Sequence, residues 1–148
     1  MKYLSLIFVF ILSGIVYGQS RIYFSDNVKA PLTTKERAQI EEVYGRGATF
    51  VMERPSLLRN IKDLLRNRIE VMEIPLEKAR GSDELMNATD LSTTALYTAY
   101  NPNLTRDLVY SANFNILKYQ INPYPVKREI YKLGNYYISI LPQNRTEK

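Results

Sequence analysis

The chain contains no cysteine, no histidine and no tryptophan. Lack of cysteine excludes disulfides, thiol nucleophiles and a lipidated cysteine at a processing site. Lack of histidine removes the commonest general base at neutral pH, the usual catalytic triads and ordinary zinc sites. Glycine is scarce, with 6 residues in 148. Gly45-Arg46-Gly47 is too short for a phosphate-cradling loop and follows a predicted helix instead of leading one. Long apolar runs are also missing, save one at the amino end.

That run is Leu4 to Leu12, preceded by the positive charge of Lys2 and followed by Ser13, Gly14 and Val16-Tyr17-Gly18. A charged start, an apolar middle and a small-residue close make up the order of a secretory leader. We therefore expect residues 1–18 to be a signal peptide cut ahead of Gln19, and residues 19–148 to form one exported domain. The apolar stretch falls short of the ~20 residues that span a bilayer. The net charge of +5 is mild and spread along the sequence, which gives no electrostatic footprint for nucleic acid. With 45% apolar residues, a domain of this size can hold together on its core.

Helix signals dominate the first half of the domain. Ile22-Tyr23-Phe24 suggests a short strand or ordered lead-in. Thr33 and Glu36 have capping-box spacing, which predicts a helix to about Tyr44 with Gly45 as its left-handed stop. Ala48–Glu53 favours a strand by composition. After Pro55, Ser56 is a candidate cap for a second helix, in which Leu57, Leu58, Ile61, Leu64 and Leu65 fall on one face. Residues 68–74 alternate as a strand, and Pro75 ends it.

Residues 76–107 are rich in turn formers. One helical turn is expected at Ser82–Met86 and a short strand near Ala95-Leu96-Tyr97. Asn113–Ile121 alternates as a strand, Asn122–Pro125 is a loop, and Glu129–Leu133 and Tyr136–Leu141 flank the two-residue turn Gly134-Asn135. The expected class is α+β: two N-terminal helices packed against one side of a mainly antiparallel sheet with a C-terminal β-hairpin.

Tyr100-Asn101-Pro102-Asn103-Leu104, Arg106-Asp107, Phe114–Tyr119, Ile130-Tyr131 and the closing Ile140–Gln143 together resemble small secreted proteins of Gram-negative bacteria. The resemblance covers residues 97–143. It implies a bacterial envelope setting, periplasmic or secreted, and no catalytic residue comes with it.

Chemistry without histidine or cysteine leaves few options. A carboxylate pair for hydrolysis would have to come from Asp83, Glu84, Asp90 and Asp107, since the odd spacing of Glu70 and Glu73 puts them on opposite faces of a strand. Asp83, Asn87 and Asp90 fall at helical offsets, but calcium loops crowd their ligands more closely. No metal site and no cofactor is expected.

Arg59, Lys62 and Arg66 are three and four apart, a basic stripe opposite the apolar face of the second helix that suits contact with anionic lipid or glycan. Twelve tyrosines are present, most of them in the last third. Tyrosine combines a broad apolar ring with a polar tip, which suits interfaces and sugar stacking. Tyr124, Tyr137 and the Asn122–Pro125 loop are the candidate binding residues. The expected role is a non-catalytic module that contacts an envelope protein or glycan, with a small hydrolase or a peripheral membrane binder as alternatives.

Overall fold

A computed structural model of the chain describes residues 21–143 together with Arg145 and Thr146; the expected leader at residues 1–18 lies outside them. The protein is α+β. Its main sheet has four strands in the order β2-β5-β4-β3, where β2 is Ile69–Glu73, β3 is Thr89–Asp90, β4 is Glu129–Leu133 and β5 is Tyr136–Ile140. The β2–β5 and β4–β5 pairs are antiparallel and β3–β4 is parallel, so the sheet is mixed. A separate two-stranded ribbon joins β1 (Arg21–Ile22) to β6 (Arg145–Thr146), bringing the two ends of the domain together.

The first helix, α1 (Thr34–Tyr44), starts as the sequence predicts. The Thr33 hydroxyl accepts from the Glu36 amide and the Glu36 carboxylate accepts from the Thr33 amide, a complete capping box that satisfies two otherwise unpaired helix donors. Gly45, at φ 47°, stops it, a backbone that side chains with a Cβ resist.

Residues 48–53 correct the strand expectation. Gly45–Gly47 forms a 3-10 turn that delivers the chain already in helical dihedrals, and Ala48–Met52 becomes a short helix, α2. Ala48 and Val51, three apart, both pack against Ile40 and Ile61. Burial at helical spacing overrides the strand preference of Thr49, Phe50 and Val51.

Helix α3 (Pro55–Asp63) begins on proline at its first position, with Arg54 as its cap and no side-chain capping bond. Ser56 is therefore inside the helix. Proline fits here because its missing amide would have been unpaired anyway. The helix widens into a π turn over Leu64–Arg68. Its expected apolar face is the packed face: Leu57, Leu58 and Ile61 join the α1–α2 cluster, and Leu64 joins the cluster over the sheet. Leu65 and Leu117 touch both clusters and make them continuous.

Two single-turn helices, α4 (Leu76–Ala79) and α5 (Asp83–Met86), follow β2. Ser82 caps α5, which falls within the helical turn expected at Ser82–Met86. They cover the second face of the hairpin, where Ala79 and Ala88 pack on Ile130 and Tyr137, with Ile74 and Leu85 against them. Helices thus lie on both sides of the sheet, not one.

Asn113–Ile121 is a further correction. The Asn115 side chain accepts from the Leu117 amide and opens a 3-10 turn, Ile116–Lys118, in place of a strand. Side-chain capping of this kind competes directly with ladder formation. An isolated bridge, Leu96 to Tyr119, remains; it is the trace of the strand expected near residue 96.

Candidate functional site

Three chain segments converge on a groove walled by tyrosines. Tyr44 ends α1, Tyr97 and Tyr100 stand on the loop before Asn101, and Tyr124 sits in the Asn122–Pro125 loop. The rings of Tyr44, Tyr97 and Tyr100 form a triangle with centroids 5.4, 5.9 and 6.1 Å apart. Tilted and edge-on contacts at such distances are favourable because each ring edge meets the electron-rich face of a neighbour. Gly47 makes room for the cluster. A Cβ there would stand 2.9 Å from the Tyr100 ring, so any larger residue would push that exposed ring away from the α1–α2 corner.

Beside this triangle is a cavity of about 530 Å³, bounded by Tyr44, Tyr97, Tyr119 and Tyr124 and floored by Leu57, Ile61 and Leu117. Asn60 and Gln120 are the only amide side chains in its lining, and no carboxylate, ammonium or guanidinium contributes to it. Gln120 donates from Nε2 to the Leu96 carbonyl at 3.1 Å. Burial pushes the Tyr44 hydroxyl up to about 12, helped by Tyr97, Tyr100 and Tyr124, so at neutral pH it is an uncharged donor and acceptor. The size falls in the range of small-ligand sites, and the lining has their usual character: apolar walls with a few polar groups.

The walls are held by a buried polar network that no local pattern announces. Asn115 is fully buried. Its Nδ2 donates to the Gln39 carbonyl at 3.0 Å and to Glu42 Oε2 at 2.9 Å, and its amide donates to Asp107. Lys118, also buried, sits between Asp107 at 2.6 Å and Glu42 at 2.7 Å. Burial alone would favour the neutral amine, but the two carboxylates outweigh it and raise the Lys118 pKa above the usual lysine range. Arg106 donates to the carbonyls of Leu91 and Thr94 and lies over the Tyr119 ring. These contacts fasten the irregular segment 91–121 to α1 and set the groove's far wall.

The residues singled out in the sequence fall in three different places. Tyr124 is on the groove and 44% exposed. Tyr137 is not: it is 3% exposed and packed beneath α4 and α5. Its neighbour Tyr136 points to the other face and stacks on Tyr110 at 4.6 Å. The alternation expected of the pair is real; Tyr137 is buried and Tyr136 half-buried.

Two residues of the basic stripe, Lys62 and Arg66, are not open surface, while Arg59 stays exposed. The segment Phe24–Pro31 lies across the first two, so what the sequence presents as a polar back is there an internal seam. Lys62, 7% exposed, donates to the Ala30 carbonyl at 2.7 Å. Arg66 makes a two-pronged pair with Glu36 at 2.5 and 2.6 Å and also donates to the carbonyls of Asn27, Ala30 and Pro31. That pairing holds the Glu36 carboxyl down to about 2, against the opposing effect of burial and with help from Thr33. Arg59 stacks over Phe24.

The loop acids do not converge, and Glu84 lies in the first turn of α5 beside Asp83. Asp107 is bound to Lys118 and Asn115, and Asp90 accepts from the Ser92 amide. Asp83 opens α5, and its carbonyl accepts from Asn87. Among the described residues, no three carboxylates gather where they could hold a metal ion. No described helix is long and apolar enough to cross a membrane.

Sequence reasoning reaches Tyr124 through its loop. It misses Tyr44, which reads as an ordinary apolar position of α1, and it gives Tyr97 no role beyond a short strand. Comparison of the chain with known protein families, with curated proteins and with solved structures finds no match.

Proposed function

We propose that this is an exported, non-catalytic binding module of the bacterial envelope, which takes an uncharged glycan in the tyrosine-walled groove. The observation that carries the reading is the lining: four tyrosines and two amides around about 530 Å³, without one ionised group. The apolar face of a sugar ring presents C–H bonds, and their weak positive charge complements the electron-rich face of an aromatic ring. The Asn60 and Gln120 amides and the tyrosine hydroxyls supply the donors and acceptors that a ring of hydroxyls needs. An anionic ligand would find no cation there to offset its desolvation.

Hydrolysis by a carboxylate pair gains no support, because Asp90 and Asp107 are engaged elsewhere and the groove holds no acid. Peripheral membrane binding through Arg59, Lys62 and Arg66 gains none either, since two of the three cations are spent on internal carbonyls. The leader-like segment and the likeness to small secreted bacterial proteins support the envelope setting.

The test is a glycan array probed with the protein produced from its full chain in a Gram-negative host, followed by titration of any neutral oligosaccharide it retains. Tyr124→Ala and Tyr97→Ala should each weaken binding by about tenfold or more, as loss of a stacking partner does, while Arg59→Ala should not. If the array shows no neutral glycan retained, or binding indifferent to both tyrosines, the reading fails.

A further inference from the structure

The lining of the tyrosine groove distinguishes among sugars. Four tyrosines stand around it, and Asn60 and Gln120 supply its two amides. Every other side chain in the lining is aliphatic, Leu57, Ile61 and Leu117 among them. Some of the polar groups are already committed. The Tyr119 hydroxyl accepts from the Asp107 amide and donates to the Asp107 carbonyl. Gln120 gives an Nε2 proton to the Leu96 carbonyl, which leaves its Oε1 as an acceptor. Asn60 differs from both. It is half-buried on α3, and among the described residues its side chain makes no hydrogen bond, whereas other amide side chains do. A donor, Nδ2, and an acceptor, Oδ1, are thus both uncommitted on the wall of a largely apolar cavity.

These groups set what a bound sugar must carry. A hexose with hydroxyls alone presses some of them against aliphatic side chains that cannot hydrogen-bond, and their desolvation goes uncompensated. An amino sugar brings an ammonium, and no carboxylate lines the groove to pair it. A sugar acid meets the same difficulty with the opposite sign. An acetamido group avoids all three costs. It is uncharged, and its methyl suits the aliphatic floor. Its N–H and C=O match the Oδ1 and Nδ2 of an asparagine in the reciprocal manner of two amides. A site with such a donor and acceptor to satisfy discriminates against a ligand that offers no partner for them.

We propose that, within the glycan reading above on which this rests, the groove selects N-acetylated hexosamines over unsubstituted hexoses, and that Asn60 reads the acetamido group. The tyrosines stack on the sugar ring whatever its substituents, and Asn60 with the aliphatic floor decides which ring is kept.

The probes are three β-1,4-linked tetramers of equal length, built from N-acetylglucosamine, glucosamine and glucose. Each is titrated by calorimetry into the protein produced from its full chain. The acetylated tetramer should bind about tenfold tighter than the glucose tetramer or better, and the glucosamine tetramer should bind weakest. Asn60→Leu removes both amide partners and should bring the acetylated tetramer down to the affinity of the glucose one. Asn60→Asp adds a carboxylate and should draw in the glucosamine tetramer at the expense of the acetylated one. Should Asn60→Leu fail to fold, Asn60→Asp and the three tetramers carry the test. Equal binding of the acetylated and glucose tetramers, with both lost in Tyr124→Ala, overturns the choice of sugar and leaves the glycan reading standing. An acetylated preference untouched by the Asn60 variants overturns the role of Asn60. N-butylacetamide bound as tightly as the acetylated tetramer overturns the need for a sugar ring. Binding by none of the three tetramers overturns the choice of sugar, and an empty glycan array besides removes the glycan reading with it.

Discussion

The β4–β5 hairpin and the segment 91–121 occupy opposite sides of one core and are held by different physics. In the hairpin, side chains alternate between Ile138 and Ile140 on one face and Tyr137 on the other. Backbone ladders do the rest. Segment 91–121 has one 3-10 turn and one isolated bridge, and depends on Asn115, Lys118, Asp107 and Arg106 to tie backbone to backbone. The comparison teaches that a long irregular stretch can be as firmly placed as a hairpin, provided its buried polar groups are fully paired.

Substituting the same residue type in both regions gives the sharpest contrast. Lys118→Met leaves the half-buried Asp107 without its cation, at a cost of about 3 kcal/mol. Lys132→Met, in the hairpin, loosens only an exposed contact to Asp90 at 4.0 Å, worth less than about 0.5 kcal/mol. Urea unfolding of the two variants measures both, and equal losses would erase the distinction.

Ile138→Ala asks what the hairpin depends on instead. Ile138 is fully buried, and the cavity should cost about 3 kcal/mol. Unfolding midpoints should fall accordingly, with the tyrosine triangle unaltered in near-ultraviolet dichroism.

Acid tests a third place, the pair of Glu36 in α1 with Arg66. Glu36 has a folded pKa of about 2 against 4.5 for the free side chain. A depressed carboxylate stabilises the fold fully above its unfolded pKa, and that stability is lost as pH falls from 4.5 to about 2. The loss amounts to at most about 3 kcal/mol. The slope of stability against pH in that window should flatten in Glu36→Gln. If it does not, another carboxylate governs the acid response.

The smallest effect belongs to the hairpin turn. Gly134 has φ 60° with nothing near its missing Cβ. Gly134→Ala therefore meets backbone strain alone, about 1 kcal/mol, readable as a modest drop in the thermal midpoint.

What the sequence makes legible follows from the same contrast. The capping box of α1, the apolar face of α3, the helical turn at Ser82–Met86 and the Gly134-Asn135 turn all rest on residues a few positions apart, so their spacing reveals them. The helical state of residues 48–52 does not show, because it depends on Ile40 and Ile61, distant in sequence. The turn at Asn115 reads as strand because its alternation is genuine, while the bond that breaks it is invisible to periodicity. The groove is hidden for the same reason: the network around Lys118 sets the segment of Tyr97 against α1, and Arg68, bonded to the Pro123 carbonyl, holds the loop of Tyr124. The stripe Arg59, Lys62 and Arg66 has the spacing of a surface, and only the path of residues 24–31 takes Lys62 and Arg66 out of it.

The tyrosine triangle also gives the protein an optical property. With no tryptophan in the chain to drain the excitation, all intrinsic emission comes from tyrosine, and rings 5.4 to 6.1 Å apart pass it among themselves and depolarise it. A ligand wedged among those rings would change both the intensity and the anisotropy of that light, so the groove reports its own occupancy without a label.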